Sequence, residues 1–405
     1  MNILLVNGNY DGGGAAQVVK KLYYSYKERG IKVYFIAARD NVTRADCDVL
    51  YTSLLPIALH RIRTSLYGNV CFHNIYIYKR IIDIIKKEKI DIVHFHNIAN
   101  NYIGFEDLKD LTRHCKVFWT LHEFWSVTGH CYHPLNCELW IEGECKNCPD
   151  LSRPNRLYYN NSHNIWKKKR EAFTKTHIQY IVPSEWMKTQ LMRSFLKDEK
   201  INVIYNGINM EEYTELDSAL LREKYNMPVS KNIILFVSEN LNNPSKGLPI
   251  LKQALALINN KEQYCLILVG DGAVNDCPEH IEIRGMGLVK NSRAMNEIFS
   301  LADILVMPSK AETFSLVAAE SMASGTPVVT FRAGGVEEVV DENTGWVLED
   351  RSAETLAEKI QLIFRNKSEL VEKGKNCRST VEQKFSLDKV IENHLDLYKE
   401  LLSEV

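Results

Sequence analysis

Short runs rich in Val, Ile and Leu recur along the chain. Longer segments separate them, in which apolar positions return every three or four residues. In the first half the runs are 3–7, 32–37, 90–96, 116–122 and 178–183; in the second, 232–238, 264–270, 281–285, 302–308, 327–331 and 345–348. A run without polar alternation predicts a strand buried on both faces. Such strands alternating with helices predict parallel sheets covered by helices. The first strand ends in Asn7-Gly8-Asn9-Tyr10-Asp11-Gly12-Gly13-Gly14, after which a helical pattern covers 15–29 and stops at Gly30. Between the halves lie 201–209 and a charged helical segment reaching Tyr225, and the alternation restarts at Asn232.

The expected fold is α/β, with two doubly wound, Rossmann-like domains. The first covers 1–207 and the second 208–385. A C-terminal helix over 386–405 has its apolar positions at Val390, Leu395, Leu397 and Leu401 and suits packing on either domain. Ligands of open sheets sit beyond the carboxyl ends of the strands. Two such domains facing across a cleft would hold a ligand among the loops that follow strands.

Composition narrows the functional classes. With 405 residues, 45% hydrophobic and 25% charged, the chain is an ordinary globular mixture and not a disordered or fibrous one. Fifty Lys+Arg against 51 Asp+Glu leave a net charge of −1, so no global field exists for nucleic acid and any anion must be held locally. The opening apolar run is too short for a secretion signal and lacks its basic flank, and no stretch of about 18 apolar residues occurs. A cytoplasmic location is expected. Of ten cysteines, Cys47, Cys71, Cys115, Cys265, Cys277 and Cys377 are scattered and read as small core residues of a reducing compartment.

The most informative segment follows the run 302–308: Ser309-Lys310-Ala311-Glu312-Thr313-Phe314-Ser315-Leu316-Val317-Ala318-Ala319-Glu320. A helix is expected to start near Phe314 or Ser315 and to end at Gly325, ahead of Pro327. Glu312 then lies on the loop before the helix, and Glu320 about one and a half turns inside it. The first N–H groups of a helix favour an anion, and carboxylates suit sugar hydroxyls because a charged acceptor makes the stronger hydrogen bond. The plainer alternative is an acidic residue near a helix start for its dipole and a solvated Glu320.

Glu312 and Glu320, followed by Ser324-Gly325-Thr326-Pro327-Val328-Val329 and Gly334-Gly335, resemble the retaining glycosyltransferases of family 4, which have the GT-B fold. The likeness covers nearly the whole chain, because Gly12–Gly14, Asn206-Gly207, Lys246-Gly247 and Gly270-Asp271-Gly272 stand in family order. The resemblance implies a sugar moved from a nucleotide diphospho-sugar to a glycan or lipid-linked glycan, in surface polysaccharide biosynthesis. It implies Glu312 on the donor sugar, Glu320 on the ribose, and the backbone of Phe314, Ser315 and Leu316 on the diphosphate. Lys246 is implied to neutralise the leaving phosphate, and His122, in Thr120-Leu121-His122-Glu123-Phe124, to line the site beside the sugar. Gly13 and Gly14 would allow close backbone approach to donor phosphate or acceptor, or else simply form a tight turn. His94, His96 and Asn97 are candidates for the acceptor. No cofactor or metal is implied for catalysis.

One departure stands out. Family members carry basic residues where this chain has Glu239 and Ser245. Either Lys246 works alone or Arg284 or Arg332 assists it. Two rival readings follow: a nucleotide-sugar epimerase using Glu312 as an acid/base, or a non-catalytic sugar-nucleotide-binding protein.

Cys131, Cys137, Cys145 and Cys148 fall in an insert over 128–150 that closes in C-x2-C. Their spacing suits a structural zinc knot, with a disulfide pair or reduced thiols as alternatives. The insert follows His122 and would shape the acceptor side. The basic, aromatic stretches 60–89 and 166–170 suit peripheral contact with the inner face of a membrane, or ordinary amphipathic helices.

Overall fold

The computed structural model describes residues 1–38, 48–49, 74–99, 102–152, 157–273 and 277–404. Cys47, Cys71 and residues 60–73 of the basic stretch lie outside the described residues.

Every apolar run carries a strand. These are β1 (Asn2–Asn7), β2 (Lys32–Ala37), β4 (Ile92–Phe95), β5 (Lys116–Thr120), β6 (Ile178–Val182), β8 (Asn232–Asn240), β9 (Tyr264–Asp271), β10 (Glu282–Gly287), β11 (Ile304–Met307), β12 (Val328–Phe331) and β13 (Gly345–Leu348). Two short strands, β3 (Asp48–Val49) and β7 (Ile201–Val203), extend the first sheet at its two edges. The paired strands run parallel, in the order β3-β2-β1-β4-β5-β6-β7 and β10-β9-β8-β11-β12-β13. The central strands are apolar on both faces because helices cover both: Ile3, Leu4, Leu5 and Val6 are fully buried, as are Ile233, Ile234 and Leu235.

The chain divides into two compact units, 1–205 with 391–405, and 206–390. The last helix, Leu387–Ser403, contributes to the first unit from Ile391 onward, where Tyr398 is buried against Tyr26 and Phe118. In the second unit, Gly207 lies where a Cβ would come within 2.7 Å of the Leu387 side chain. Gly207 is therefore a packing requirement of the start of that helix.

Local sequence sets the element ends. Gly12 (φ 91) and Gly13 (φ 75) open the helix Gly13–Glu28, and Gly30 (φ 71) closes it by donating to the Lys27 carbonyl. Asn74 caps the helix Ile75–Glu88 by accepting the N–H groups of Tyr76 and Ile77. That helix buries Ile77, Ile81, Ile84 and Ile85 and turns Lys79, Arg80, Lys86 and Lys87 to solvent. Its basic residues are thus accounted for by an ordinary amphipathic helix. No helix among the described residues is long and apolar enough to cross a membrane.

Both sheets reverse their strand order next to their first strand, between β1 and β4 and between β8 and β11. At such a switch point the two neighbouring loops leave in opposite directions and open a crevice. In the first unit those loops carry Gly12–Gly14 and His96-Asn97; in the second they carry Lys246 and Glu312.

Gly270 illustrates how closely the strand ends pack. Its φ is 149, and a Cβ there would lie 1.9 Å from the Ser238 carbonyl oxygen, whereas one on Gly285 would meet nothing within 4 Å. Gly270→Ala is expected to cost more than about 1 kcal/mol, and Gly285→Ala to stay within about 0.5 kcal/mol of the parent. Urea unfolding of the two variants side by side checks this; equal midpoints would contradict it.

Candidate active site

In the second unit, three contacts bring the loop after β8 onto the loop after β11. Gly247 sits with φ 82 at a point where a Cβ would be 2.1 Å from the Pro308 carbonyl oxygen. The Lys310 N–H donates to the Ser245 carbonyl at 2.8 Å. Lys246 Nζ then reaches Glu312 Oε1 at 2.7 Å, with the carboxylate side chain 12% exposed and the lysine 37%. From the other side, the Arg351 guanidinium donates to the Pro308 carbonyl at 3.1 Å. Glu312 is fixed through its backbone as well: its N–H donates to the Ala333 carbonyl, and its own carbonyl accepts from Gly335. Gly334-Gly335 therefore serves to hold Glu312 in place.

The helix after Glu312 is Leu316–Ala323, with Ser315 as its N-cap. Ser315 Oγ accepts the Ala318 N–H, and the Ser315 carbonyl accepts that of Ala319. Leu316 and Val317 supply the first-turn N–H groups that a helix leaves without an internal partner. Ser315 takes φ 95, a left-handed conformation uncommon for a residue with a Cβ. The Phe314 side chain is buried edge-on against Phe385 and faces the core, so only its backbone is available to a ligand. Glu320 lies further along the helix, where it hydrogen-bonds Tyr213; burial, and then the Glu320 charge, raise that phenol well above its ordinary range.

Both cations considered as substitutes for the missing basic residues are exposed and paired with carboxylates. Arg284 is paired with Glu282 at 2.6 Å, and Arg332 with Glu337 at 3.3 Å and Glu349 at 2.5 Å. Glu239 is exposed at the end of β8.

In the first unit, Asn7 ties the two switch-point loops together. Its side chain donates to the Asn9 carbonyl and accepts the Asn97 N–H. His96 Nδ1 and His122 Nε2 are 3.0 Å apart with their rings stacked, and His94 lies behind, between Tyr398 and Thr120. Burial, and then the neighbouring His394, pull His122 down to about 4; burial likewise takes His94 and His96 well below their ordinary value. At neutral pH these rings are uncharged hydrogen-bonding groups.

Beside His122, burial pushes Glu123 up to about 8 against the pull of the Lys169 ammonium. Lys169 belongs to the basic run read as a surface patch, yet it is fully buried. Its ammonium donates to the carbonyls of Trp125 and Thr128 and sits 3.7 Å from the Trp125 ring. Burial is tolerable because two carbonyls and an aromatic face replace its water. His96 Nε2, Trp125 Nε1 and Ser126 Oγ have no protein hydrogen-bond partner among the described residues. All three residues line one small cavity with His122 and Glu123, of about 10 Å³, the size for a single bridging water.

The cysteine-rich insert follows. Cys145 Sγ accepts the Gly129 N–H at 3.1 Å, and burial pushes its thiol up to about 12, with Cys131 and Cys137 near enough to add to the shift. Cys148 Sγ is 3.4 Å from His130 Nε2. No group of three or more His, Cys, Asp or Glu among the described residues is arranged to hold a metal ion.

Several participants escaped the sequence reading. Tyr213 and Arg351 in the second unit, and His394 and Tyr398 in the first, meet candidate residues of their own unit from distant positions in the chain, and no local signal marks them. Lys169 was disguised by its basic neighbours. An Asp-x-Asp triplet, Asp46-Cys47-Asp48, was also passed over; Asp48 opens β3 at the edge of the first sheet, and its two predecessors lie outside the described residues.

Comparison with known proteins gives a consistent answer. The family described as Glycosyltransferase Family 4 matches residues 12–212, and that described as Glycosyl transferases group 1 matches residues 231–366. A putative colanic acid biosynthesis glycosyl transferase of Escherichia coli strain K12 is 24% identical over 399 residues, 92% of each chain. Sucrose-phosphate synthase of Thermosynechococcus elongatus has the same fold, with a TM-score of 0.76 at 19% identity over 100% of both chains. HepE of Anabaena, solved in complex with UDP, gives 0.67 at 17% identity, also over 100% of both.

Two measurements probe this geometry. A double-mutant cycle of Lys246→Ala and Glu312→Ala, read by urea unfolding, is expected to give a coupling of about 0.5–1 kcal/mol, since the lysine is partly exposed. A coupling near zero would remove the pair. For Glu123 the folded value lies above the unfolded one, so the folded state holds the extra proton between about pH 4.5 and 8. Its contribution to stability is present below that window and is lost as pH rises through it. Glu123→Gln is expected to flatten that part of the stability–pH curve; an unchanged slope would mean the carboxyl is ionised throughout.

Proposed function

Because the chain belongs to the group 1, family 4 glycosyltransferases, we propose that it transfers a sugar, with retention of anomeric configuration and without a catalytic metal, from a nucleotide diphospho-sugar to a glycan or lipid-linked glycan of a surface polysaccharide. The observation that carries this reading is the Lys246–Glu312 contact at the switch point of the second unit, one loop ahead of a helix N-terminus. The carboxylate suits sugar hydroxyls, and the ammonium and helix terminus suit the diphosphate. Both of their partners belong to one donor molecule. The E. coli relative's name supports the polysaccharide role, and the UDP bound by HepE makes uridine diphosphate donors the first to test.

In this mechanism the Leu316 and Val317 N–H groups, with the Ser315 and Phe314 backbone, receive the diphosphate. Lys246 swings from Glu312 toward the phosphate oxygen that accumulates charge as the anomeric C–O bond breaks. That contact strengthens toward the transition state and so accelerates the step. Glu312 holds the sugar hydroxyls, and Glu320 the ribose. His122, uncharged at neutral pH, offers the donor sugar a hydrogen bond without adding a charge. The acceptor oxygen bonds to the anomeric carbon on the face the nucleotide leaves, and its proton passes to the departing phosphate. Lys246 carries the cationic role in this reading, alone or assisted by Arg284 or Arg332.

Two ancillary readings belong here. A zinc ion on Cys131, Cys137, Cys145 and Cys148 would fasten the insert by drawing together thiols that already influence Cys145. The outward face of Ile75–Glu88, with Tyr76, Lys79, Arg80, Lys86 and Lys87, would rest on an anionic membrane carrying a lipid-linked acceptor.

Thermal-shift screening with UDP-, GDP- and ADP-sugars is expected to identify the donor. Glu312→Ala and Lys246→Ala are then each expected to lower transfer about 10²–10³-fold, or about 2.7–4 kcal/mol. Near-parental rates in both variants would overturn the assignment. Glu320→Ala is expected mainly to weaken binding of the nucleoside diphosphate by calorimetry. Metal analysis of the pure protein should find about one zinc per chain, and less than about a tenth would dispose of the knot.

A further inference from the structure

A second cavity lies in the first unit, between the cysteine-rich insert and the helix Glu185–Leu191, and has a volume of about 260 Å³. That is just below the roughly 300–1,000 Å³ of drug-sized sites and on the scale of one sugar ring with its substituents. Its walls are aromatic. The rings of His133 and Trp186 stack at 5.9 Å with 9° between their planes. Phe124 stands edge-on to His133, Trp140 and Trp186, with centroids 5.2 to 5.7 Å away. Trp140 and Phe124 are buried, while Trp186 is partly exposed. The His133 ring is set by the Leu135 N–H, which donates to its Nδ1 and leaves the ring proton on Nε2.

The lip of the cavity is polar, with groups able to bridge neighbouring hydroxyls. Arg193 donates to Glu138 at 2.6 Å and to Gln190 at 3.1 Å, and Asn136 stands exposed beside them. Aromatic walls at the base and paired amide, carboxylate and guanidinium groups at the rim match the two surfaces of a pyranose. Its axial C–H groups form an apolar face, and its equatorial hydroxyls form a polar edge.

We propose that this cavity is a subsite for one pyranose unit of the acceptor glycan. The assignment rests on the transferase reading for the word acceptor, and on the cavity alone for the sugar. Phe124, its back wall, follows His122 by two residues, so the subsite is built on the same loop as a proposed active-site residue. The walls are also fixed in advance. The Trp166 indole N–H donates to the Trp140 carbonyl, the Ser162 hydroxyl to the Cys145 carbonyl, and buried Lys169 gathers the carbonyls of Trp125 and Thr128. A pocket held in shape spends little binding energy on ordering itself. The insert thereby acquires a purpose beyond its own folding: it supplies one side of a sugar-binding wall.

Saturation-transfer NMR tests this on the full chain with millimolar methyl glycosides of glucose, galactose, mannose and N-acetylglucosamine as probes. At least one is expected to receive saturation, strongest at the ring protons of a single face. Trp186→Ala is expected to weaken that binding about threefold to tenfold, with calorimetric binding of nucleoside diphosphate unchanged as proof of folding. Arg193→Met, at the exposed rim, provides a second variant with the same expected direction. No saturation of any of the four probes, or equal signals in the parent and both variants, would overturn the subsite. Glu312→Ala distinguishes the two ideas: it tests transfer and leaves the glycoside signal in place. A failed transferase reading would therefore not be mistaken for a failed subsite.

Discussion

The second unit depends on one close approach, that of Gly247 to the carbonyl of Pro308. Any side chain at position 247 would push the loop after β8 away from the loop after β11. The Ser245–Lys310 hydrogen bond would then be lost, and Lys246 would no longer meet Glu312. The switch in strand order makes the two loops neighbours, and the glycine lets them touch. Arg351 and the Gly334-Gly335 turn then hold the loop after β11 from behind. The pairing with Glu312 keeps the Lys246 ammonium at the mouth of the crevice, within a side-chain rotation of the charge it is assigned to meet.

The first unit solves a different problem, that of burying polar groups without leaving them unpaired. Lys169 is the clearest instance, since its ammonium donates to two carbonyls and lies over an aromatic ring. The buried His94 and His96 and the half-buried His122 form a second group, kept neutral by desolvation, with His94 linked to Thr120 and Tyr398. His96 meets His122, and Lys169 acts on Glu123, on the same loop. A low dielectric there makes each hydrogen bond stronger and each unpaired group more costly.

Much of the architecture was legible along the chain. Buried parallel strands are apolar on both faces, so each central strand announced itself as an unbroken run. The short edge strand β7 did not, because Asn202 and Val203 are only half buried and give a weak pattern. The positions of Glu312 and Lys246 on loops after strands were legible as well, because glycines and prolines mark where those loops begin and end. Lys169 was misread for an equally physical reason. Its neighbours Lys167, Lys168 and Arg170 are charged like it, and three charged neighbours hide the one turned inward.

The sequence alone determined the class of fold, the alternation of strands and helices, and which loops carry carboxylates, a lysine and glycines. These are properties of residues near one another in the chain, where periodicity and backbone freedom act directly. Tertiary structure alone decided which partners those residues meet: Lys246 with Glu312, Glu320 with Tyr213, His94 with Tyr398, and Trp186 with His133. Such pairs join positions far apart in the chain, and they arise because packing of helices and loops on the sheets brings them together. Hydrophobic spacing specifies each strand but says nothing of its neighbour, so the identity of every long-range partner had to come from the folded chain.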